Sequence, residues 1–344
     1  PSVEHESKNT IENVGLFELS PFSKYEIKGD KAYEELQRLC TANIKNEIGK
    51  CTYTHMLNEG AGIETDLTVV CLEKDYFRII SSATVRTHDK AHILKHLSND
   101  LEFKDVTDEL ICLGVFGPKS RDLLSKITDE NLSNENFKFG TSKNINLSST
   151  NVWAQRLSYV GELGYEIYIK NKDAKKVYNL IVETGKDFGL SLCGAHTMDT
   201  MRMESGFLHW GHDISPEENQ YQAGLHFAIS LEKDFNFIGK EKLLEIKNNK
   251  IEKRFVMMVL KDRKPGNPLL LHEEPIYLEE DVVGKTTSGN FSFNYNKNLS
   301  FGYIKSELTN EEISKKKLYI EVEKKKYTAE LQLKPLKKSN FKKI

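Results

Sequence analysis

The strongest constraint on the fold of this chain is an alternation of helix-like and strand-like segments that occurs twice. The first cycle predicts a helix over residues 30–44 with Asp30 as its N-cap, then strands in "IETDLTVV" and "DYFRIISSATV", then a helix in "RTHDKAHILKHLSND". The second cycle predicts a strand in "ELICLGVFG", a helix in "PKSRDLLSKI", two strands in "VWAQRLSYVGELGYEIYIK" and a helix in "DAKKVYNLIVETGKDFG". Helices mixed with antiparallel strands predict an α+β fold.

The pattern changes after roughly residue 246. From there on, short strands separated by Gly, Asn and Ser turns fill "YLEEDVVGKTTSGNFSFNYNKNLSFGYIKSE" and "KLYIEVEKKKYTAELQL". We therefore expect two interleaved α+β domains within residues 1–245 and a β-rich C-terminal domain over residues 246–344. The many lysines of the C-terminal domain are interpreted as a solvated surface, because aromatic residues do not interleave with a basic run.

Composition argues against several classes of protein. Lys and Arg number 49 against 51 Asp and Glu, a formal net charge of −2, so no basic field indicates nucleic acid or an anionic membrane as partner. The five cysteines are odd in number and lack CxxC spacing, which favours reduced thiols over disulfides or a zinc site. No apolar run is long enough to span a bilayer and the N-terminus does not resemble a signal peptide, so a cytoplasmic or organelle-matrix location is expected.

Polar residues mark two candidate sites. Glu64 and Asp66 are two residues apart in a predicted strand, so both side chains leave the same face. The second candidate is the polar loop "HWGHDISPEEN", but its residues His209, His212 and Asp213 match no established metal-ligand spacing, and no metal site is predicted. The chain also lacks the GxSxG, GxGxxG and Walker patterns.

Four segments together resemble one protein family. They are "MLNEGAGIETDLTVV", "YVGELGYEIYI", "MDTMRMESGFLHWGHDISPEENQYQAGL" and "GKTTSGNFSFNYNKNLSFGYI". Their order and spacing resemble the folate-dependent aminomethyltransferase family, which includes the glycine cleavage T-protein. "GIETD" and "RMESGFLHWGHDISPEEN" are more similar to the folate-binding C-terminal half of dimethylglycine and sarcosine dehydrogenases than to the T-protein itself.

The resemblance implies a fold and a set of site residues. The family fold is a three-domain cloverleaf around a central tetrahydrofolate channel, with two α+β domains and a β-rich third domain. Asp66 matches the family's catalytic aspartate, which stands near the folate nitrogen that receives the one-carbon unit. Glu166 matches the glutamate that holds the pteridine. Tyr53, Tyr159 and Trp210 match aromatic positions around the folate.

The chain departs from the family pattern at two points. The folate-contacting arginine of the T-protein is replaced by Met198, whereas Arg202 matches a second, structural arginine, so the pterin contacts must differ in detail. The flavin domain of the dimethylglycine and sarcosine dehydrogenases, with its glycine fingerprint, has no counterpart here, and no flavin is expected on this chain. Glu64 matches none of the T-protein's functional residues, and a strand-surface role and a channel role both stay open for it.

Three functions are compatible with the resemblance. The first is an enzyme that captures an iminium- or formaldehyde-level carbon from a methylated amine of the dimethylglycine or sarcosine type. It gives 5,10-methylenetetrahydrofolate, and a separate flavin oxidase subunit or domain is its expected partner. The second is a free-standing tetrahydrofolate-dependent demethylase that gives 5-methyltetrahydrofolate. The third is a non-catalytic folate-binding protein, which the retention of Asp66 disfavours.

Overall fold

The computed structural model describes residues 2–249, 251–305 and 307–338 and contains two β-sheets and one closed β-barrel. The helices in the described ranges are α1 (Ser2–Glu12), α2 (Ala32–Leu39), α3 (Arg86–His96), α4 (Ser120–Ser125), α5 (Ala174–Gly185), α6 (Ala195–Glu204), α7 (Lys240–Asn248) and α8 (Asn310–Ser314). The strands are β1 (Val14–Glu18), β2 (Ser23–Lys28), β3 (Cys51–Leu57), β4 (Ile63–Glu73), β5 (Tyr76–Ser81), β6 (Glu102–Asp105), β7 (Leu110–Phe116), β8 (Ser142–Leu147), β9 (Thr150–Gln155), β10 (Gly164–Lys170), β11 (Leu190–Cys193), β12 (Lys253–Leu260), β13 (Pro275–Leu278), β14 (Asp281–Ser292), β15 (Lys297–Lys305), β16 (Leu318–Val322) and β17 (Lys325–Gln332).

The first sheet has the strand order β3-β4-β5-β2-β6, and its neighbouring strands are all antiparallel. Its longest strand, β4, alternates between fully and partly buried residues over its first half, as expected of a strand with one face on a core. The hairpin of β3 and β4 places His55 directly opposite Asp66. Strand β4, which carries both predicted acids, and strand β3 therefore present one shared face at this pair.

The second sheet has the order β11-β1-β7-β10-β9-β8. Strand β1 pairs antiparallel with β7 and parallel with β11, so the chain starts in this sheet, builds the whole first sheet, and then returns. The two cycles seen in the sequence therefore do not correspond to two consecutive units. A five-residue strand such as β1 carries no local signal that selects its distant partners.

The two sheets stack face to face, and helices cover their outer faces. Between the sheets, Val70 and Ile80 of the first sheet pack with Phe17 and Phe116 of the second sheet. On the other side of the first sheet, residues of α2 and α3 complete a separate core, and α4 and α5 do the same for the second sheet. Successive residues of a strand thus pack into different cores: Val69 belongs to the core under the helices, and Val70 to the core between the sheets.

The C-terminal barrel has the cyclic strand order β12-β15-β14-β13-β16-β17 and has its own core. Closure pairs both edges of the sheet, so no long strand edge is exposed. Strand β14 is irregular between Thr286 and Ser288, where its register against β15 shifts by one residue. This irregularity lies beside α6, which connects the barrel to the second sheet through contacts with β14, β15 and β1.

One sequence prediction about a helix is wrong. Helix α2 spans Ala32–Leu39 rather than residues 30–44, because the backbone of Cys40 is already extended. Lys31 occupies the N-cap position and no side chain caps the helix, so Asp30 does not have the predicted role. Among the helices of the described ranges, none has the length and apolar character needed to cross a membrane.

Candidate functional site

A cavity of about 1210 Å³ lies where the two sheets, helix α6 and the barrel meet. This volume exceeds that of a typical single-ligand pocket, about 300–1,000 Å³, so there is room for a drug-sized ligand together with a small second molecule. The cavity lining includes the five residues that the family resemblance assigned to the folate site, namely Tyr53, Asp66, Tyr159, Glu166 and Trp210. These residues come from widely separated parts of the chain, and the fold brings them to one space.

Asp66 lies on β4, and its side chain is 17% exposed. Burial raises the pKa of its carboxyl group to about 7, although a hydrogen bond from the Tyr53 side chain acts in the opposite direction. Its Oδ1 atom is buried and has no hydrogen-bond partner among the described residues. A buried carboxylate oxygen without a partner is a costly feature, which a bound donor group would satisfy.

Two tyrosines line the cavity together with Asp66. Tyr53 lies on β3, where its ring stacks on Phe227 with the ring centroids 6.0 Å apart. Tyr159 donates its hydroxyl hydrogen to the carbonyl oxygen of Leu208 at 2.9 Å. Burial raises the pKa of Tyr159 above its ordinary value, and the negative charge of Asp66 contributes to this rise. Both tyrosines are therefore neutral phenols with apolar rings at the cavity wall.

Glu166 is the second buried carboxylate of the cavity and lies on β10. Burial raises its pKa to about 7, and a hydrogen bond from Tyr168 opposes the rise. The Tyr168 hydroxyl donates to Glu166 Oε2 at 2.9 Å. This bond holds the carboxylate in place and leaves Oε1 able to accept an N–H group from a ligand.

Trp210 is held against the first sheet. Its Nε1 atom donates to the carbonyl oxygen of Ile63 at 3.0 Å, and its ring lies against His88 with the centroids 5.3 Å apart.

Glu64 does not line the cavity. It accepts hydrogen bonds from Asn58 at 2.9 Å and from His88 Nε2 at 3.0 Å, provided that this nitrogen carries the hydrogen. Of the two acids on this face of β4, only Asp66 reaches the cavity. Glu64 instead holds His88, whose ring contacts Trp210.

Arg202 is buried and fully engaged. It donates to Asp199 Oδ1 at 2.8 Å, to Asp213 Oδ2 at 2.5 Å and to Ser288 Oγ at 2.9 Å. Asp213 accepts further hydrogen bonds from Thr287 and Ser288 of the barrel. This network ties α6, the polar loop and the barrel together. Because its nitrogen atoms are satisfied by protein groups, Arg202 has a structural role.

Met198 lies one helical turn before Arg202 on α6 and lines the cavity. The wall at the position of the family's folate-contacting arginine is therefore apolar.

In the polar loop, the rings of His209 and His212 are 4.7 Å apart, while Asp213 is bound to Arg202. The described part of the chain holds no group of three or more His, Cys, Asp or Glu side chains arranged to bind a metal.

The sequence analysis missed two residues of this site. His55 is buried beneath Tyr53 and Asp66, and Tyr168 supports Glu166. Each is two residues from a selected residue on the same strand, so its side chain leaves the same face. The period-two rule applied to Tyr53 and Glu166 would have found both.

Family models and individual proteins match this chain. Residues 1–233 match the GCVT N-terminal domain, and residues 253–338 match the glycine cleavage T-protein C-terminal barrel domain. The human mitochondrial dimethylglycine dehydrogenase is 35% identical over 310 residues, which are 88% of this chain but 35% of that enzyme. The chain thus spans about a third of the length of this relative. An aminomethyltransferase of Alkaliphilus metalliredigens is 32% identical over 99% of this chain and 90% of its own length.

A solved structure confirms the predicted fold class. The glycine cleavage system aminomethyltransferase T from Bartonella henselae has a TM-score of 0.86, covering 98% of this chain and 90% of its own, with 22% sequence identity. At that identity the likeness shows the fold alone. The domain matches and the full-length relative together show that this chain belongs to the folate-dependent aminomethyltransferase family of the glycine cleavage T-protein.

Proposed function

We propose that this chain is a tetrahydrofolate-dependent one-carbon transferase that captures an iminium- or formaldehyde-level carbon from a methylated amine and gives 5,10-methylenetetrahydrofolate. One observation carries the proposal: the buried Asp66 carboxyl group has an oxygen without a partner at the wall of a cavity that is large enough for the folate. Members of this family bind tetrahydrofolate. When bound, the folate supplies the nucleophilic amines that accept the carbon.

Asp66 has the properties that this transfer requires. The incoming carbon is cationic, and each folate amine that bonds to it must release a proton. A carboxylate stabilises the positive charge, and a carboxyl group with a pKa of about 7 takes up and returns a proton near neutral pH. The low exposure of Asp66 strengthens both effects, because few water molecules screen its charge.

The remaining site residues suit the planar, polar pterin. Glu166 is fixed by Tyr168, and its carboxylate can accept the amino and ring N–H groups of the pterin together. Tyr53, Tyr159 and Trp210 supply apolar ring surface nearby. The apolar Met198 adds no charge, so in this proposal Glu166 provides the main charge-assisted contact to the pterin.

The proposed donor is a methylamine of the dimethylglycine or sarcosine type. Its methyl carbon must first lose two electrons, and we assign that step to a flavin oxidase on a separate subunit or domain. The match to one third of dimethylglycine dehydrogenase supports this division of labour. No flavin is proposed on the present chain, and the proposed location is the cytoplasm or an organelle matrix.

A second candidate is a free-standing demethylase that transfers an intact methyl group and gives 5-methyltetrahydrofolate. The observation in its favour is the aminomethyltransferase relative, which this chain matches over 90% of that protein's length. Transfer of an intact methyl group does not oxidise the carbon, so this candidate needs no oxidase. The oxidation level of the product distinguishes the two candidates.

The test is product analysis with tetrahydrofolate and either formaldehyde or dimethylglycine plus an amine oxidase. We expect 5,10-methylenetetrahydrofolate to form faster with the wild-type chain than without protein, and Asp66→Asn to lower the rate by about 100-fold, the lower end of general acid–base contributions. Glu64→Gln is the matched control, because it removes an acid two residues away that does not line the cavity. Full turnover by Asp66→Asn would refute the role of Asp66, and a methyl-level product from dimethylglycine in a reaction without the oxidase would favour the demethylase.

A further inference from the structure

His55 is a buried histidine that the proposed function leaves unexplained. It is fully buried on β3, directly opposite Asp66 on β4 and two residues from Tyr53. Its Nε2 atom lies 3.1 Å from the Tyr53 hydroxyl oxygen and 3.7 Å from Asp66 Oδ1. Its other nitrogen, Nδ1, lies 2.8 Å from the side-chain nitrogen of Gln220. A histidine with polar contacts at both nitrogens can transmit the orientation of one partner to the other.

The hydrogen bonds around Gln220 determine which nitrogen of His55 carries the hydrogen. Thr41 Oγ1 donates to the carbonyl oxygen of Ala228 at 2.9 Å, so it accepts from the Gln220 side-chain nitrogen at 2.9 Å. The same Gln220 nitrogen therefore donates to His55 Nδ1. Since Nδ1 is an acceptor, the ring hydrogen is on Nε2 and faces the Tyr53 hydroxyl oxygen.

With the hydrogen on Nε2, each group in this chain of hydrogen bonds donates to the next one. His55 Nε2 donates to the oxygen of Tyr53, which leaves the Tyr53 hydrogen free to be donated to Asp66. A hydrogen bond donated by the Tyr53 hydroxyl to Asp66 lowers the pKa of the carboxyl group, because it stabilises the charged form. The sequence of donation runs from Gln220 to His55, then to Tyr53, and ends on Asp66. Bonds arranged in this way polarise one another.

We propose that His55, held by Gln220 with its hydrogen on Nε2, is a positioning residue that aims the Tyr53 hydroxyl hydrogen at Asp66 and so sets the pH at which this carboxyl group ionises. The catalytic meaning of the arrangement rests on the proposed function of Asp66, whereas the arrangement itself does not. Burial lowers the pKa of His55 to about 3, so the ring is neutral at physiological pH and acts through its orientation rather than through a charge.

Two other groups, Asp89 and Tyr159, also interact with Asp66. Asp89 on α3 raises the pKa of Asp66 through its negative charge, and Tyr159 is close enough for Asp66 to raise its own pKa, so it stays a neutral phenol. Neither contacts His55 in the hydrogen-bond sequence. Because His55 Nε2 is within hydrogen-bond distance of Tyr53 but 3.7 Å from Asp66 Oδ1, a change at His55 is expected to act on Asp66 mainly through Tyr53.

The test measures the ionisation of Asp66 directly, without any turnover. The infrared carboxyl band that is lost in Asp66→Asn is titrated in the wild-type chain, in His55→Leu and in His55→Gln. Leucine removes the donor, whereas the glutamine side chain can place an N–H group close to the position of Nε2. We expect a midpoint of about 7 in the wild-type chain, a rise of about one pH unit in His55→Leu, and a return towards the wild-type midpoint in His55→Gln.

An unchanged midpoint in His55→Leu, or the same rise in both variants, would overturn the proposal. If His55→Leu does not fold, Tyr53→Phe removes the last donor of the sequence and is expected to raise the midpoint similarly, so an unchanged midpoint there has the same meaning. In the transfer assay, the acid limb of the pH–rate profile should move with the midpoint. A shifted midpoint without turnover by any variant would refute the proposed function and leave the positioning role intact.

Discussion

Replacing Asp66 by Asn should make the folded chain more stable at high pH, although it removes the proposed catalytic group. Burial raises the pKa of Asp66 from an ordinary value of 3.8 to about 7. Since the folded pKa is above the unfolded pKa, the folded state binds the proton more tightly. The contribution of Asp66 to stability is therefore fully present below pH 3.8 and is lost as the pH rises through about 7. Asparagine does not titrate and avoids this loss.

The size of the effect follows from the pKa difference of about 3 units. At about 1.36 kcal/mol per unit, the full loss between low and high pH is about 4 kcal/mol. Only part of this loss falls within the pH range in which unfolding is readily measured. Between about pH 5.5 and about pH 8.5, the contribution of Asp66 to the free energy of unfolding falls by about 2 kcal/mol. This figure is an upper value, because 17% of the Asp66 side chain still contacts water.

The assay is urea unfolding of the wild-type chain and of Asp66→Asn at both pH values. The stability of the variant relative to the wild type should rise by about 1–2 kcal/mol from the lower to the higher pH. The comparison cancels the contribution of Glu166, whose raised pKa is common to both proteins. Glu64→Gln serves as the control. A stability difference that does not depend on pH would refute the reasoning that Asp66 ionises with difficulty in the folded chain.

Two further predictions concern the rest of the site. Glu166→Gln should weaken tetrahydrofolate binding by about 10-fold, because a charge-assisted hydrogen bond is worth about 1.5–3 kcal/mol, and calorimetric titration that finds an unchanged affinity would exclude Glu166 as a pterin ligand. Asp213→Ala should destabilise the fold by about 3–5 kcal/mol, because it leaves the buried Arg202 without its main counter-ion. Asp199→Asn, at the partly exposed end of the same network, should cost much less in the same unfolding assay, and equal losses would contradict this account.

The local elements of the fold could be predicted from the sequence because their signals are local. The strand that carries Asp66 shows β-branched residues and period-two alternation, and helix α5 shows helical spacing followed by Gly189, which adopts φ +68. The pairing of β1 with β7 and β11 could not be predicted in this way. It depends on contacts between residues about 100 or more positions apart, and five residues of strand do not specify them.

The site shows the same division. Asp66, Glu166 and the aromatic residues were predicted because they lie in motifs that resemble a family. The role of Glu64 required the structure, because the strand face that carries Glu64 and Asp66 extends from the cavity to the neighbourhood of His88. The supporting role of His55 depends on Thr41 and Gln220, which are separated from each other by 179 positions. A local reading of the sequence does not bring such residues together.

The central claim is that the cavity holds tetrahydrofolate between Asp66 and Glu166. The most direct test is a calorimetric titration of the wild-type chain and of Glu166→Ala with tetrahydrofolate near neutral pH. The account predicts saturable binding to one site, in the micromolar range of Kd, and clearly weaker binding to Glu166→Ala. An absence of binding to the wild-type chain would contradict it, and would mean that the chain keeps the family fold while Met198 marks a lost folate site.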